Sequence, residues 1–263
     1  MKQAFKTFMQ TLSSLRPVGL VLAAALALGG AASAAERCFE LRTYYAEEGK
    51  LDALNDRFKD HTTGLFTRHG MVNLGYWVPL ENPERKLIYL LSYPDLAARE
   101  ISWKGFLADP DWIAAAKASE AAGKLVSKIE SRFLTLTDFS PEMKMDEGTH
   151  TYEMRTYTAT PGKLPNLLDR FRKHTVGLFS KHGMKHFGYF TPAAGQPGAD
   201  DTLIYFLAHA SPEACTVSFD AFRADPVWNQ AKAESETAAG GPLTVADGVK
   251  SVLLKATEFS PVK

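Results

Sequence analysis

The sequence is poor in sulfur chemistry, in nucleotide-binding motifs and in blocks of charge. Of 263 residues only two are cysteine, Cys38 and Cys215. They do not occupy equivalent positions in the repeat described below, so no repeated disulfide framework exists. A single bridge and two free thiols are both compatible with the sequence. No P-loop, dinucleotide-binding glycine motif, nucleophile elbow or paired CxxC is present. No long basic or acidic run appears. The apolar run from Val18 to Leu28 is 11 residues, short of the roughly 20 that span a bilayer.

What is present begins with an export signal. Lys2, Lys6 and Arg16 precede the apolar run, and Ala32-Ser33-Ala34 offers small residues for signal peptidase. The expected signal peptide is 1–34, cleaved after Ala34, which predicts a periplasmic or secreted protein with no stable membrane span. Without that segment the chain carries 27 basic and 30 acidic residues, a net charge of −3. That balance argues against a nucleic-acid partner.

The remaining chain is one module written twice. Glu40 to Trp77 aligns with Glu153 to Phe190 at a constant offset of 113, with 22 of 38 positions identical. Chance gives about two or three for average composition. The shared string is E-x-R-T-Y, G-K-L, D-R-F-x-x-H-T-x-G-L-F-x-x-H-G-M and G-Y. Later, Leu87-Ile88-Tyr89 matches Leu203-Ile204-Tyr205, and Phe106-x-x-Asp109-Pro110-x-Trp112 matches Phe222-x-x-Asp225-Pro226-x-Trp228. Module 1 is expected over 35–141 and module 2 over 150–263.

Each module reads as βαββαβ, the ferredoxin-like order. Strands are predicted at 38–45, 72–79, 86–93 and 132–137, and at 185–191, 202–209 and 250–257 in the second copy. The long helix runs from about 50 to 69, and from 163 to 182 in the second copy, each stopped by Gly70 or Gly183 as a left-handed C′ glycine. Asp109-Pro110 and Asp225-Pro226 read as an N-cap with proline at N1, breaking the second helical segment in two. At 100° per residue, His61 and His69 fall on or beside the sheet-facing side of the long helix, as do His174 and His182.

Alternation along the first strand separates Phe39 and Leu41 from Glu40, Arg42 and Tyr44, and Tyr152 and Met154 from Glu153, Arg155 and Tyr157. Assigning the apolar side to the helices puts the Glu-Arg-Tyr row on the opposite face. Leu87–Leu91 and Leu203–Leu207 are apolar on both faces, so that opposite face also needs a cover. The sheet of the other module supplies it. The expected fold class is α+β: two tandem ferredoxin-like modules forming an intramolecular α+β barrel, a monomer with an internal pseudo-dimer, with further oligomerisation left open.

The E-x-R-T-Y strand, the G-K helix start, the H-T-x-G-L-F-x-x-H-G helix end, the G-Y strand and the D-P-x-W break together resemble the NIPSNAP domain, twice over. The resemblance implies the dimeric α+β barrel superfamily, which includes small oxygenases, lactone isomerases and haem-handling proteins. It implies no settled catalytic activity. Eukaryotic members are associated with mitochondria and vesicle traffic, roles that an export signal does not carry over.

Candidate ligand-binding residues are Glu40, Arg42, Tyr44, Glu153, Arg155 and Tyr157, with His61 and His174 secondary. An arginine facing an enclosed space can hold a carboxylate or enolate in bidentate fashion, and a buried glutamate with a raised pKa could act as base. The plainer reading pairs glutamate with arginine across the module interface. His69 and His182 read as helix-end caps. The repeated aromatics Tyr76, Tyr189, Phe106, Phe222, Trp112 and Trp228 read as core. No metal or cofactor is expected: His182 and His186 are four apart, but Gly183 breaks the helix between them. Two functions follow. One is an exported protein holding a small, partly apolar anion between its two sheets, with or without oxygenase- or isomerase-type chemistry. The other is a non-catalytic interaction module with a solid barrel. A hollow or filled interior discriminates between them.

Overall fold

The computed structural model describes residues 37–143 and 148–263. The export-signal reading falls on 1–34, outside the described residues. Module 1 comprises β1 (Cys38–Ala46), α1 (Leu51–Arg57), a π-helical turn (Phe58–Thr62), α2 (Thr63–Arg68), β2 (Val72–Pro79), β3 (Lys86–Tyr93), α3 (Leu96–Ala108), α4 (Pro110–Ser119) and β4 (Val126–Leu136). Module 2 repeats it: β5 (Thr151–Ala159), α5 (Leu164–Arg170), a π-helical turn (Phe171–Thr175), α6 (Val176–Lys181), β6 (Lys185–Pro192), β7 (Thr202–His209), α7 (Pro212–Ala224), α8 (Pro226–Ala238) and β8 (Thr244–Ala256).

The eight strands close into one antiparallel barrel in the order β1-β3-β2-β8-β5-β7-β6-β4. Each module gives four contiguous strands. Two short seams join them, Trp77–Pro79 against Ala256–Leu254 and Leu134–Leu136 against Pro192–Phe190. Closure leaves none of these eight strands with a free edge along the whole of its length. The last strand of each module starts earlier than expected, because pairing with β1 and β5 persists to Ala46–Val126 and Ala159–Thr244.

Helix ends follow the sequence signals. Gly70 and Gly183 both sit at φ 79°, and Met71 and Met184 then donate back to the Phe66 and Phe179 carbonyls at 3.0 Å. Asp109 and Asp225 cap α4 and α8 by accepting from Asp111 and Val227 backbone N–H, with proline in the first turn.

Three packed clusters organise the molecule. Two lie between the sheet and the helices of each module, around Phe58, Phe66, Tyr89 and Trp103, and around Phe171, Phe179, Tyr205 and Phe219. The third fills the barrel interior with Phe39, Trp77, Ile88, Leu90, Tyr152, Phe187, Phe190 and Phe206. Trp77 stacks on Phe206 at 5.2 Å and meets Phe187 edge-on at 5.6 Å. Each such fully buried ring contributes roughly 1.5–3 kcal/mol.

This arrangement reverses the strand facing expected above. Phe39 and Leu41 point into the barrel, and the Glu40–Arg42–Tyr44 row points outward under the helices. The sheet is buried on both faces, so the helices did not have to receive the more apolar one. The interior offers mostly hydrocarbon and the helix layer offers donors, so the charged row goes where its partners are.

Candidate functional site

The site is built outward from Glu40. Its side chain is fully buried, near the start of β1 and directly across from Leu91 on β3. Arg99 on α3 embraces it from above with two parallel bonds, Nε to Oε2 at 3.1 Å and Nη2 to Oε1 at 3.0 Å. Oε1 also accepts from Arg42 Nη1 and Ser131 Oγ, both at 2.6 Å. Oε2 accepts from Tyr93 Oη and Trp103 Nε1, both at 3.0 Å. Burial works against ionisation, yet the Arg99, Arg42 and Ser131 contacts outweigh it and hold the carboxyl down at about 2. The expectation of a base with a raised pKa is therefore corrected. The arginine and glutamate also pair within a module, not across the module interface.

Arg42 lies beside Glu40. Its Nε donates to Tyr89 Oη at 2.9 Å and its Nη2 to Tyr44 Oη at 3.5 Å. The indole of Trp103 covers the guanidinium at 4.3 Å. Module 2 places Glu153, Arg155 and Tyr157 in the same way. Arg155 Nη1 donates to Glu153 Oε1 at 2.5 Å and Nη2 to Tyr157 Oη at 3.4 Å. Phe219 replaces the covering Trp103, 4.4 Å from the guanidinium.

Arg42 and Tyr44 form the floor of an open cleft of about 1010 Å³ between β4 and the α3–α4 pair. Trp103, Phe106 and Trp112 supply apolar walls, and Arg57, Lys104, Lys124 and Lys128 stand around it against Glu100 and Glu120. Arg57 is buried, lies 5.3 Å from the Trp112 ring and donates to Glu120 at 3.1 Å. Arg170 repeats this against Trp228 at 5.1 Å and Glu236 at 3.5 Å.

The sequence reading missed Arg57, Arg170, Arg99 and Trp103. The first two were visible in the repeated D-R-F string. Arg99 and Trp103 were not, because they differ between the copies. The histidines separate. His61 is exposed and lines a shallow groove with Arg68 and Asp111, away from the core. His174 is half-buried. Neither comes near the Glu-Arg-Tyr rows, because a π-helical turn inserts one extra residue and rotates Thr62 and Thr175 into the core instead. His69 and His182 grip the Asp-Pro breaks, with Nε2 at 2.6 Å from Asp109 and 2.8 Å from Asp225. Cys38 and Cys215 are both free thiols.

The NIPSNAP family model matches residues 39–141 and 152–261, the two copies of the module. The chain belongs to the NIPSNAP family. Comparison with curated proteins finds no match. Among solved structures, a NIPSNAP domain protein from Burkholderia xenovorans is 24% identical, covering 40% of this chain and 99% of its own, at TM-score 0.36. A Fusobacterium nucleatum protein provisionally named a monooxygenase is 9% identical, covering 84% of this chain and 93% of its own, at TM-score 0.55. An anthrone oxidase-like protein is 10% identical, covering 85% of this chain and 92% of its own, at TM-score 0.53. The last two share the barrel fold with this NIPSNAP protein. Among the described residues, no helix is long and apolar enough to cross a membrane.

Proposed function

We propose that this NIPSNAP protein is exported to the periplasm or beyond and binds a small, partly apolar anion in the cleft over Arg42. The carrying observation is the lining of that cleft, where aromatic walls meet six basic side chains: Arg42, Arg57, Arg99 and Lys128 are paired with Glu40, Glu120, Glu100 and Glu130, and Lys104 and Lys124 stand beside them. The site differs from the one expected from sequence. The space between the two sheets is packed with aromatic side chains, which supports a site outside the barrel, under α3 and α4. Trp103 and Trp112 would receive the apolar part, and Lys104 and Lys124 the charge.

The proposal is binding, and oxygenase- or isomerase-type chemistry has less support. Glu40 is held ionised with both oxygens occupied by donors, which leaves it a poor base. The likeness to proteins named oxygenases is a likeness of fold.

The test is a fluorescence titration of the full mature chain with laurate, and with dodecanol as the uncharged control. Laurate should quench Trp103 and Trp112, dodecanol should bind at least about tenfold more weakly, and Lys104→Glu with Lys124→Glu should remove the difference. Equal binding of both probes, or a laurate affinity indifferent to the charge reversal, would sink the reading.

A second reading, a protein-interaction module, draws on the filled interior and on apolar side chains exposed on α3 and α4. Ile101 is 74% exposed, with Leu107 and Ile113 also exposed. Ile101→Asp should then abolish capture of a partner without changing laurate binding.

A further inference from the structure

The two glutamates are equivalent in the repeat, but their surroundings have diverged. Beside Glu40 stand Tyr93, Arg99 and Trp103; the corresponding residues beside Glu153 are His209, Cys215 and Phe219. Glu40 is therefore neutralised by two guanidiniums, whereas Glu153 has Arg155 alone among the described arginines. Its Oε1 is taken by Arg155 and Ser251. Among the described residues, its Oε2 meets the imidazole of His209 at 3.2 Å and the thiol of Cys215 at 3.6 Å.

We propose that Glu153, His209 and Cys215 form a site for a transition-metal ion of the zinc type. All three residues are buried, and one ligand atom from each lies within 4.8 Å of the others. The individual edges fit better than that limit requires. Tetrahedral zinc with bonds of about 2.0–2.1 Å to N and O and about 2.3 Å to S has an O···N edge of about 3.3 Å and an O···S edge of about 3.6 Å. Here Glu153 Oε2 lies 3.2 Å from His209 Nε2 and 3.6 Å from Cys215 Sγ. These two edges need adjustment of only a few tenths of an ångström, and the third, from the His209 ring to Cys215, lies within 4.8 Å. The fourth position is left to water or a small ligand.

Charge supports the same assignment. An ion bound by the Cys215 thiolate and the Glu153 carboxylate, beside Arg155, leaves one net positive charge. That is what Arg42 and Arg99 leave around Glu40. The metal thus stands where module 1 has a guanidinium. On binding, the thiol proton is released to solvent and the imidazole ligates as the neutral ring. In that tautomer Nδ1 carries the proton, and it has no partner among the described residues. A nucleophilic reading of the same trio fits less well. Burial and the Glu153 charge push the Cys215 thiol up to about 12, the opposite of an activated nucleophile.

The test does not depend on the cleft proposed in module 1. The full mature chain is purified without chelators, assayed for bound metal by mass spectrometry, and reconstituted with Co2+. We expect close to one ion per chain and a thiolate-to-cobalt charge-transfer band in the near ultraviolet. Cys38→Ser should keep both. Cys215→Ser should abolish the band and lower the metal content at least about tenfold. His209→Tyr with Cys215→Arg, which installs the residues of module 1, should fold and do the same. Absence of the band and of stoichiometric metal in the reconstituted wild type, or retention of metal by the double variant, would overturn the proposal. If Cys215→Ser does not fold, as judged by circular dichroism, the double variant decides.

Discussion

At the scale of residues, Glu40 is held through both of its carboxylate oxygens. A buried carboxylate is costly unless its lone pairs are filled, and six donors fill these. Replacing it by glutamine should cost about 3–5 kcal/mol in urea unfolding, because Arg42 and Arg99 would then face a neutral amide. The pH dependence has a definite sign. The folded-state pKa lies below the unfolded value, near 2 against 4.5, so this stabilisation is complete above about pH 4.5 and is lost as pH falls towards 2. Its size is about 3 kcal/mol. Urea midpoints measured down that range should fall steeply in the wild type and less so in Glu40→Gln. Equal slopes would mean the carboxyl is not held ionised. The Glu-Arg-Tyr rows were legible in the sequence from alternation and repetition. Their direction was not, because alternation reports two faces without saying which face meets which layer.

Among the elements, the long helix of each module shows where a regular wheel fails. The π-helical turns put Thr62 and Thr175 inside, where their hydroxyls donate to the Arg57 and Arg170 carbonyls at 3.1 and 3.3 Å. The hydroxyl bonds a carbonyl five residues back, a geometry that an unbroken α-helix does not present. Thr62→Val keeps the shape and loses the bond, and should cost about 1 kcal/mol. His61→Ala, at an exposed position, should stay within about 0.5 kcal/mol. Both are read from chemical denaturation, and the reverse order would restore the histidine to the core. The Asp-Pro break gives a second expectation. Asp225 caps α8 and also binds Lys181 and His182. Asp225→Ala should therefore lose at least the roughly 0.5–2 kcal/mol of a cap, more than Asp220→Ala, whose exposed pair with Arg223 contributes little.

For the whole molecule, closure of the barrel explains the repeated G-Y strand. A Cβ on Gly75 would overlap the Trp77 ring, and one on Gly188 would meet the Phe190 ring at 2.8 Å. Both rings lie in the interior cluster, so the glycines make room for the aromatic that seals it. Gly75→Ala should destabilise by about 1–3 kcal/mol through overpacking. Gly64→Ala is the matched control. That helical glycine has open space around its Cβ position, and the change should stabilise by about 0.4–1 kcal/mol. Thermal unfolding of the two variants should move in opposite directions.

The sequence by itself determined the duplication, the element order, the glycine and Asp-Pro boundaries and the need for each sheet to be covered twice. These follow from local periodicity, capping chemistry and composition, which act over a few residues or repeat at a fixed offset. Only the tertiary structure decided which cover went where. Both faces of each strand are buried, so the choice rests on where Glu40 finds Arg99 and Trp103, partners some 60 residues away on a helix that the other copy wrote differently. The same long-range geometry gathers Glu153, His209 and Cys215. No spacing in the chain announces that trio, because its members come from a strand, the end of another strand and the start of a helix.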